Sequence, residues 1–179
     1  MLEATINGCL YTTPLAIVTW KFTRLLLENG ADVNATKDDS NPELEVVKLL
    51  LEKGANVRAS TSTGSTPLHF SCCYALQVPV VQLLLDRGAD VQAINGDRTT
   101  PLHLACLNEN VEIARMLLLD RGANVETKTS KGITPLEMAY YEVKCPKLTR
   151  LLVQHMMALA GCAVIVETDV IYDVVALWF

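Results

Sequence analysis

Leucine runs punctuate this chain. They fall at Leu25-Leu26-Leu27, Leu49-Leu50-Leu51, Leu83-Leu84-Leu85 and Leu117-Leu118-Leu119, with a shorter run at Leu151-Leu152. The first four are each followed by a polar turn that opens Gly-Ala-Asp/Asn-Val, at Gly30, Gly54, Gly88 and Gly122. Thr-Pro-Leu precedes the runs at Thr13, Thr66, Thr100 and Thr134. The last three Thr-Pro-Leu copies and the last three glycines recur every 34 residues, whereas Gly30 and Gly54 are only 24 apart. The pattern therefore predicts paired helices separated by polar turns, with one unit about ten residues short.

Each part of the unit has a local physical job. Threonine caps a helix by accepting a free first-turn amide. Proline follows where its missing N–H costs nothing and its φ is already helical. Leucine opens an apolar stripe, and the small residues Ser71, Ala105 and Ala139 share one offset where helices can approach closely. The second helix carries the leucines to a common core and ends on a glycine able to take the left-handed conformation. One such unit cannot bury its own apolar faces, but stacked neighbours can, which predicts a solenoid.

The segments TPLHFSC (66–72) and TPLHLAC (100–106), with the endings LLLDRGADV and LLLDRGANV, closely resemble ankyrin repeats over roughly residues 13 to 156. The resemblance implies an all-α repeat solenoid, a stack of helix–turn–helix pairs with protruding β-turn fingers. It further implies a protein-binding module without catalytic activity. For His69 and His103 it implies hydrogen bonding near the turn between repeats. Its variable, partner-facing positions fall here on Ser62, Thr63 and Ser65, on Gly96, Asp97 and Thr99, and on Ser130, Lys131 and Ile133 in the fingers. On the first helices they fall on Cys73 and Tyr74, Leu107 and Asn108, and Tyr141 and Glu142. Tyr74, Asp97, Leu107, Asn108, Lys131, Tyr141 and Glu142 are the residues expected to meet the partner across one concave face. Tyr74, Leu107 and Tyr141 would be its anchors, tyrosine combining contact area with a polar handle.

The chain also departs from the family pattern. Its period is one residue longer than usual. The extra residue is expected before the second helix in the units at Thr66 and Thr134, and near the end of that helix in the unit at Thr100. Where the family turns on glycine after the first helix, this chain has Ala75, Glu109 and Val143, so that turn is expected to be looser. In the short unit, Lys37-Asp38-Asp39-Ser40-Asn41-Pro42 runs straight into ELEVVKLLLEKG. The inner helix is thus expected to be missing, with Ser40 or Asn41 as the cap, and Pro14 to Glu28 to form one helix. The expected organisation is an irregular N-terminal part at 1–57, three repeats at 58–156 and an apolar tail at 157–179.

Composition narrows the function classes. The net charge of −5 leaves no cationic excess to replace counterions on nucleic acid. The longest apolar run, Met156 to Val166, is eleven residues, well short of the roughly 20 needed to span a bilayer. The six cysteines contain no C-x-x-C pair and no histidine at ligand spacing, so free thiols in a reducing, cytoplasmic setting are expected rather than zinc or disulfides. No phosphate loop, nucleophile elbow, zincin or EF-hand motif occurs. The expectation is a monomeric, non-enzymatic scaffold for a protein partner, with no cofactor and no metal. Two other functions are open from the sequence. The tail, with LTRLLVQHMMALAG faintly like the start of an F-box, allows an adaptor for ubiquitin ligase, and the irregular units allow a repeat remnant without specific function.

Overall fold

The computed structural model describes residues 42–52, 54–73 and 78–161. The chain divides into two compact units, Met1–Asn56 and Val57–Phe179. The expected helix over Pro14 to Glu28, the caps Ser40 and Asn41, and the tail beyond Gly161 lie outside the described residues.

In the first unit, α1 (Pro42–Glu52) starts on proline and stops at Gly54. Gly54 takes φ 85°, its amide donates to Leu51 O at 3.1 Å, and the Ala55 amide donates to Leu50 O at 3.0 Å. These two bonds satisfy carbonyls that the helix end leaves open, and glycine carries the left-handed step at no steric cost.

The second unit contains three helix pairs: α2 (Pro67–Cys73) with α3 (Val78–Asp86), α4 (Pro101–Leu107) with α5 (Val111–Arg115), and α6 (Pro135–Glu137) with α7 (Pro146–Leu159). Among the described residues there are no strands. The first helices stack α2 on α4 on α6, and the second helices stack α3 on α5 on α7. The core lies between these two layers. Leu68, Leu102 and Leu136 enter it from the Thr-Pro-Leu starts, with Ser71, Ala105 and Ala139 fully buried at the close helix contacts. From the second layer come Val80, Val81, Leu84 and Leu85, then Ile113, Ala114, Leu117 and Leu118, then Leu148, Leu151, Leu152 and Val153. Three of the four leucines of the faintly F-box-like stretch, Leu148, Leu151 and Leu152, are therefore core residues of the third pair, whereas Leu159 is 70% exposed.

In the second and third pairs the extra residue of the long period is absorbed as a π turn; in the first, the segment before the second helix where it is expected lies outside the described residues. Helix α5 runs on into a π-helical turn, Met116–Asp120, and α6 into another, Met138–Glu142. The first turn explains a change of burial within the leucine runs. In α3 the buried pair is Leu84 and Leu85, with Leu83 half-buried. After α5 the buried pair is Leu117 and Leu118, while Leu119 is 54% exposed. Aligning Val78 with Val111 matches the core residues Val80, Val81, Leu84 and Leu85 to Ile113, Ala114, Leu117 and Leu118 and leaves Leu119 as the added residue. The closing bond widens with it, since the Ala89 amide donates to Leu84 O at 2.9 Å but the Ala123 amide reaches back to Leu117 O at 2.8 Å. A π turn costs little here because the surplus side chain goes to water.

Threonine and histidine tie one pair to the next. The Thr66 amide donates to His69 Nδ1 at 3.2 Å, and the Thr66 hydroxyl lies 2.9 Å from the same nitrogen. His69 Nε2 lies 3.0 Å from Thr99 O, just before the next Thr-Pro. Thr100 and His103 repeat this at 3.2 and 2.8 Å, with His103 Nε2 at 3.1 Å from Ile133 O. A carbonyl only accepts, so Nε2 carries the proton, and Nδ1 is left as the acceptor for threonine. Both rings are buried, and burial pulls their pKa values below the ordinary 6.5. In the third pair Glu137 stands where histidine would, and it closes only the local half of the arrangement, accepting from the Thr134 amide at 2.6 Å and hydroxyl at 2.9 Å.

Two outcomes follow for stability. Leu118→Ala should cost about 2–5 kcal/mol in urea unfolding, Leu119→Ala about 0.5 kcal/mol or less, and deletion of Leu119 should leave a cooperative transition. Loss of cooperativity on that deletion would show that the π turn is not a removable insertion. Acid should also loosen the stack. A histidine with a lowered folded pKa binds fewer protons folded than unfolded, so its contribution is complete above 6.5 and is lost as pH falls from there through the folded value. Melting of the wild type should fall over that window, and a His69→Gln/His103→Gln variant should melt lower at pH 7 with a flatter acid dependence.

Candidate protein-binding face

The fingers are built almost entirely from backbone. Each is closed by an amide at its first residue donating to the carbonyl at its last: Thr61 to Ser65 O at 3.0 Å, Asn95 to Thr99 O at 3.1 Å, and Thr129 to Ile133 O at 2.9 Å. The side chain of the first residue adds a second clasp. Thr61 Oγ1 accepts from the Ser65 amide at 3.2 Å, Asn95 Oδ1 from the Thr99 amide at 2.9 Å, and Thr129 Oγ1 from the Ile133 amide at 3.2 Å. Neighbouring fingers are then joined edge to edge, Gly96 N–H to Thr63 O and Ser130 N–H to Asp97 O, both at 2.8 Å. A Cβ on Gly96 would stand 3.2 Å from Thr63 O, a tight contact, while Ser130 makes the equivalent bond at the same length in the next finger with its Cβ in place.

This geometry sorts the expected finger residues. Ser65, Thr99 and Ile133 are half-buried and close the fingers, and the carbonyls of Thr99 and Ile133 receive the histidines. Ser62, Thr63, Asp97, Ser130 and Lys131 are exposed. Through the bond from Ser130 to Asp97 O, Asp97 and Lys131 stand on adjacent finger tips.

The first helices contribute the other wall. Leu107 ends α4 and is 49% exposed; Tyr141, in the π turn after α6, is 55% exposed. They occupy one repeat position on stacked helices, next to the buried Cys106 and Ala139. Cys73, at the same position, is half-buried. The Tyr141 ring meets Tyr140 edge-on, 4.7 Å between centroids, an arrangement that limits the freedom of both rings. Asn108 is exposed and its side-chain amide donates to Leu104 O at 2.9 Å, so it caps its own helix. Glu142 is exposed beside Tyr141. Tyr74 lies outside the described residues.

Three residues beside these were not expected on the face; the sequence marked Glu109 only as a turn residue, and Arg98 and Lys144 not at all. Arg98, Glu109 and Lys144 hold φ of 56°, 55° and 57°, left-handed values that crowd a Cβ. Arg98 stands where Gly64 and Gly132 serve the neighbouring fingers, at φ 75° and 80°. Glu109 and Lys144 turn the chain after the first helices, so that turn keeps the tight left-handed step without glycine. In the third pair the residue that turns is Lys144 and not the expected Val143, whose φ is −95°. The π turn, closed by the Val143 amide on Met138 O at 3.0 Å, pushes the turn one residue along. The threefold recurrence of Gly64, Arg98 and Gly132 was a signal available in the sequence.

The two cysteines that share a repeat position, Cys72 and Cys106, are poor nucleophiles. Cys72 and Cys106 are fully buried and burial pushes both thiols up to about 12, so neither forms a thiolate near neutrality. Cys72, Cys73, Cys106 and Cys145 are free thiols. Among the described residues no group of histidine, cysteine and acid side chains could hold a metal ion, and no helix is long and apolar enough to cross a membrane. On the flank formed by the second helices, Arg121 pairs with Asp86 and holds its carboxyl below the usual range.

Replacing Glu109 or Lys144 by glycine should raise the melting midpoint, since the left-handed step costs roughly 1 kcal/mol with a Cβ, offset in part by the freer unfolded chain. Alanine at either position should bring no such gain, and a gain equal to glycine's would show that the strain is not in the backbone.

A family model for ankyrin repeats in many copies matches residues 84–139, and a second, for ankyrin repeats in three copies, matches residues 39–95. No curated protein matches the chain.

Proposed function

This chain belongs to the ankyrin repeat family, and from that premise we propose that it is a non-enzymatic scaffold that holds a protein partner on the concave face between its fingers and first helices. Members of the family generally mediate protein–protein interactions. The observation that carries the assignment to this face is the pair Leu107 and Tyr141. Both are large, apolar or amphipathic and about half exposed, at one repeat position on stacked helices whose opposite side is core. Folding gains nothing from leaving them in water, whereas a partner that covers them removes apolar area from solvent. Asp97 and Lys131 on the finger tips, with Asn108 and Glu142 beside the anchors, form the polar surround that excludes water from such a contact. Tyr74 is assigned to the same partner from its place in the repeat sequence alone, and residues 58–156 make up the recognising part. The protein works as a monomer in the cytoplasm, which fits the free thiols among its described residues.

Affinity capture from the native cell with the intact chain, beside a Tyr74→Ala/Leu107→Ala/Tyr141→Ala variant, tests this. Anchor residues of this kind contribute about 2 kcal/mol or more each when central, so specific partners should fall to background in the variant while its melting curve is kept. Partners recovered at unchanged yield would place the binding surface elsewhere.

A further inference from the structure

The charges that rim this face follow an order along the stack. At the finger edge, Asp97 of the middle repeat is succeeded by Lys131 of the last. At the helix-turn edge, Glu109 of the middle repeat is succeeded by Lys144 of the last. All four side chains are exposed. Both edges therefore run from acidic to basic in the same direction, and between them the apolar floor runs from Leu107 to Tyr141. Neighbouring repeats are joined backbone to backbone at the fingers and by packed first helices, so each step of charge spans about 10 Å, the ordinary separation of packed helices. Two other charges bear on the pattern. Arg98 directs its guanidinium at the Lys128 carbonyl, at 3.5 Å. With exposed Arg98 beside Asp97 and exposed Glu142 beside Tyr141 counted in, the rim still carries two acids and one base on the middle repeat, and two bases and one acid on the last.

Backbone cost adds to this order. Glu109 and Lys144 sit at left-handed steps where glycine would be less strained. A charged side chain kept at such a step, with opposite signs in successive repeats, is accounted for when the side chain itself is used.

We propose that the face is electrically directional and takes a peptide segment of a partner in one orientation, an apolar or aromatic residue over Leu107 and Tyr141, a basic residue beside Asp97 and Glu109, and an acidic residue beside Lys131 and Lys144. The inference rests on the concave-face assignment and adds the chemistry of the occupant. Rim charges of this kind set orientation and encounter rate more than total affinity, and salt screens them. Reversed segments place like charges together at both ends.

The test is selection of random displayed dodecapeptides on the intact chain, repeated on a charge-exchanged variant, Asp97→Lys/Glu109→Lys/Lys131→Glu/Lys144→Glu. Circular dichroism and melting would confirm that the variant folds, and the milder Asp97→Lys/Lys131→Glu serves if it does not. The expected result is enriched peptides with one fixed order, basic then apolar then acidic along a single direction, binding at least tenfold more weakly to the exchanged variant. Selection on that variant should return the opposite order. Peptides that need Leu107 and Tyr141 but show no charge order, or that ignore the exchange, would overturn the directional proposal and leave the face itself standing. Peptides indifferent to Leu107→Ala/Tyr141→Ala, or no enrichment at all, would overturn both.

Discussion

Everything in the three-repeat unit depends on how one repeat grips the next. The grip is a neutral imidazole with both nitrogens engaged, Nδ1 by its own threonine and Nε2 by a carbonyl 30 residues further on. The same residues cap a helix, fix a tautomer and hold the base of the following finger. Because the ring is buried, leaving either nitrogen unpartnered would cost more than the bond itself contributes. The fingers inherit their spacing from that contact. Among the described residues every buried side-chain polar atom has a partner, as expected where polar groups are drawn into a stacked interior.

A second ladder runs outside the first. Arg58 Nε donates to Gly88 O at 2.7 Å, and Gln92, one repeat on, donates to Gly122 O at 2.9 Å. Each reaches the glycine that ends the next second helix, satisfying a carbonyl the helix has released. Inner and outer ladders together make each repeat the template for its neighbour, which is how a linear stack gains cooperativity without long-range contacts. Such a frame tolerates an extra residue only where it does not shift the gripping atoms. The two π turns meet that condition. One sends Leu119 to water between the last core leucine and Gly122, and the other displaces the step from Val143 to Lys144 after Ala139 is already in place.

The recognition face uses what this frame leaves over. Backbone bonds close each finger and join it to the next, and the tip side chains Ser62, Thr63, Asp97, Ser130 and Lys131 stay exposed. On the first helices the core takes one side, and the positions of Leu107 and Tyr141 look outward. Left-handed Glu109 and Lys144 stand at the end of that wall, where they add charge at the expense of a strained backbone. Stability and recognition thus draw on different atoms of the same repeat.

The repeat, its caps and its terminal glycines were legible in the sequence, because each depends on a local preference that a residue type announces, and the bonding of the histidines was implied by the resemblance to ankyrin repeats. Thr100 caps α4 and Thr134 caps α6 as their Thr-Pro starts imply, and Gly54, Gly88 and Gly122 all take positive φ. The exposed positions on α4 and in the turn after α6 could be placed by counting from each threonine. Which leucine of a run is surplus could not, because Leu118 and Leu119 are chemically alike and only packing against the first layer separates the buried one from the exposed one. The turn residue Lys144 was hidden for the same reason, since a π turn shifts register without a sequence mark of its own. Sequence alone thus determined the unit, its period and roughly where the extra residues of the Thr100 and Thr134 units fall, through residue spacing and local backbone and capping preferences; the tertiary stack decided which leucine of a run is exposed and which residue takes the left-handed step, because those outcomes depend on which atoms the neighbouring repeat has already buried.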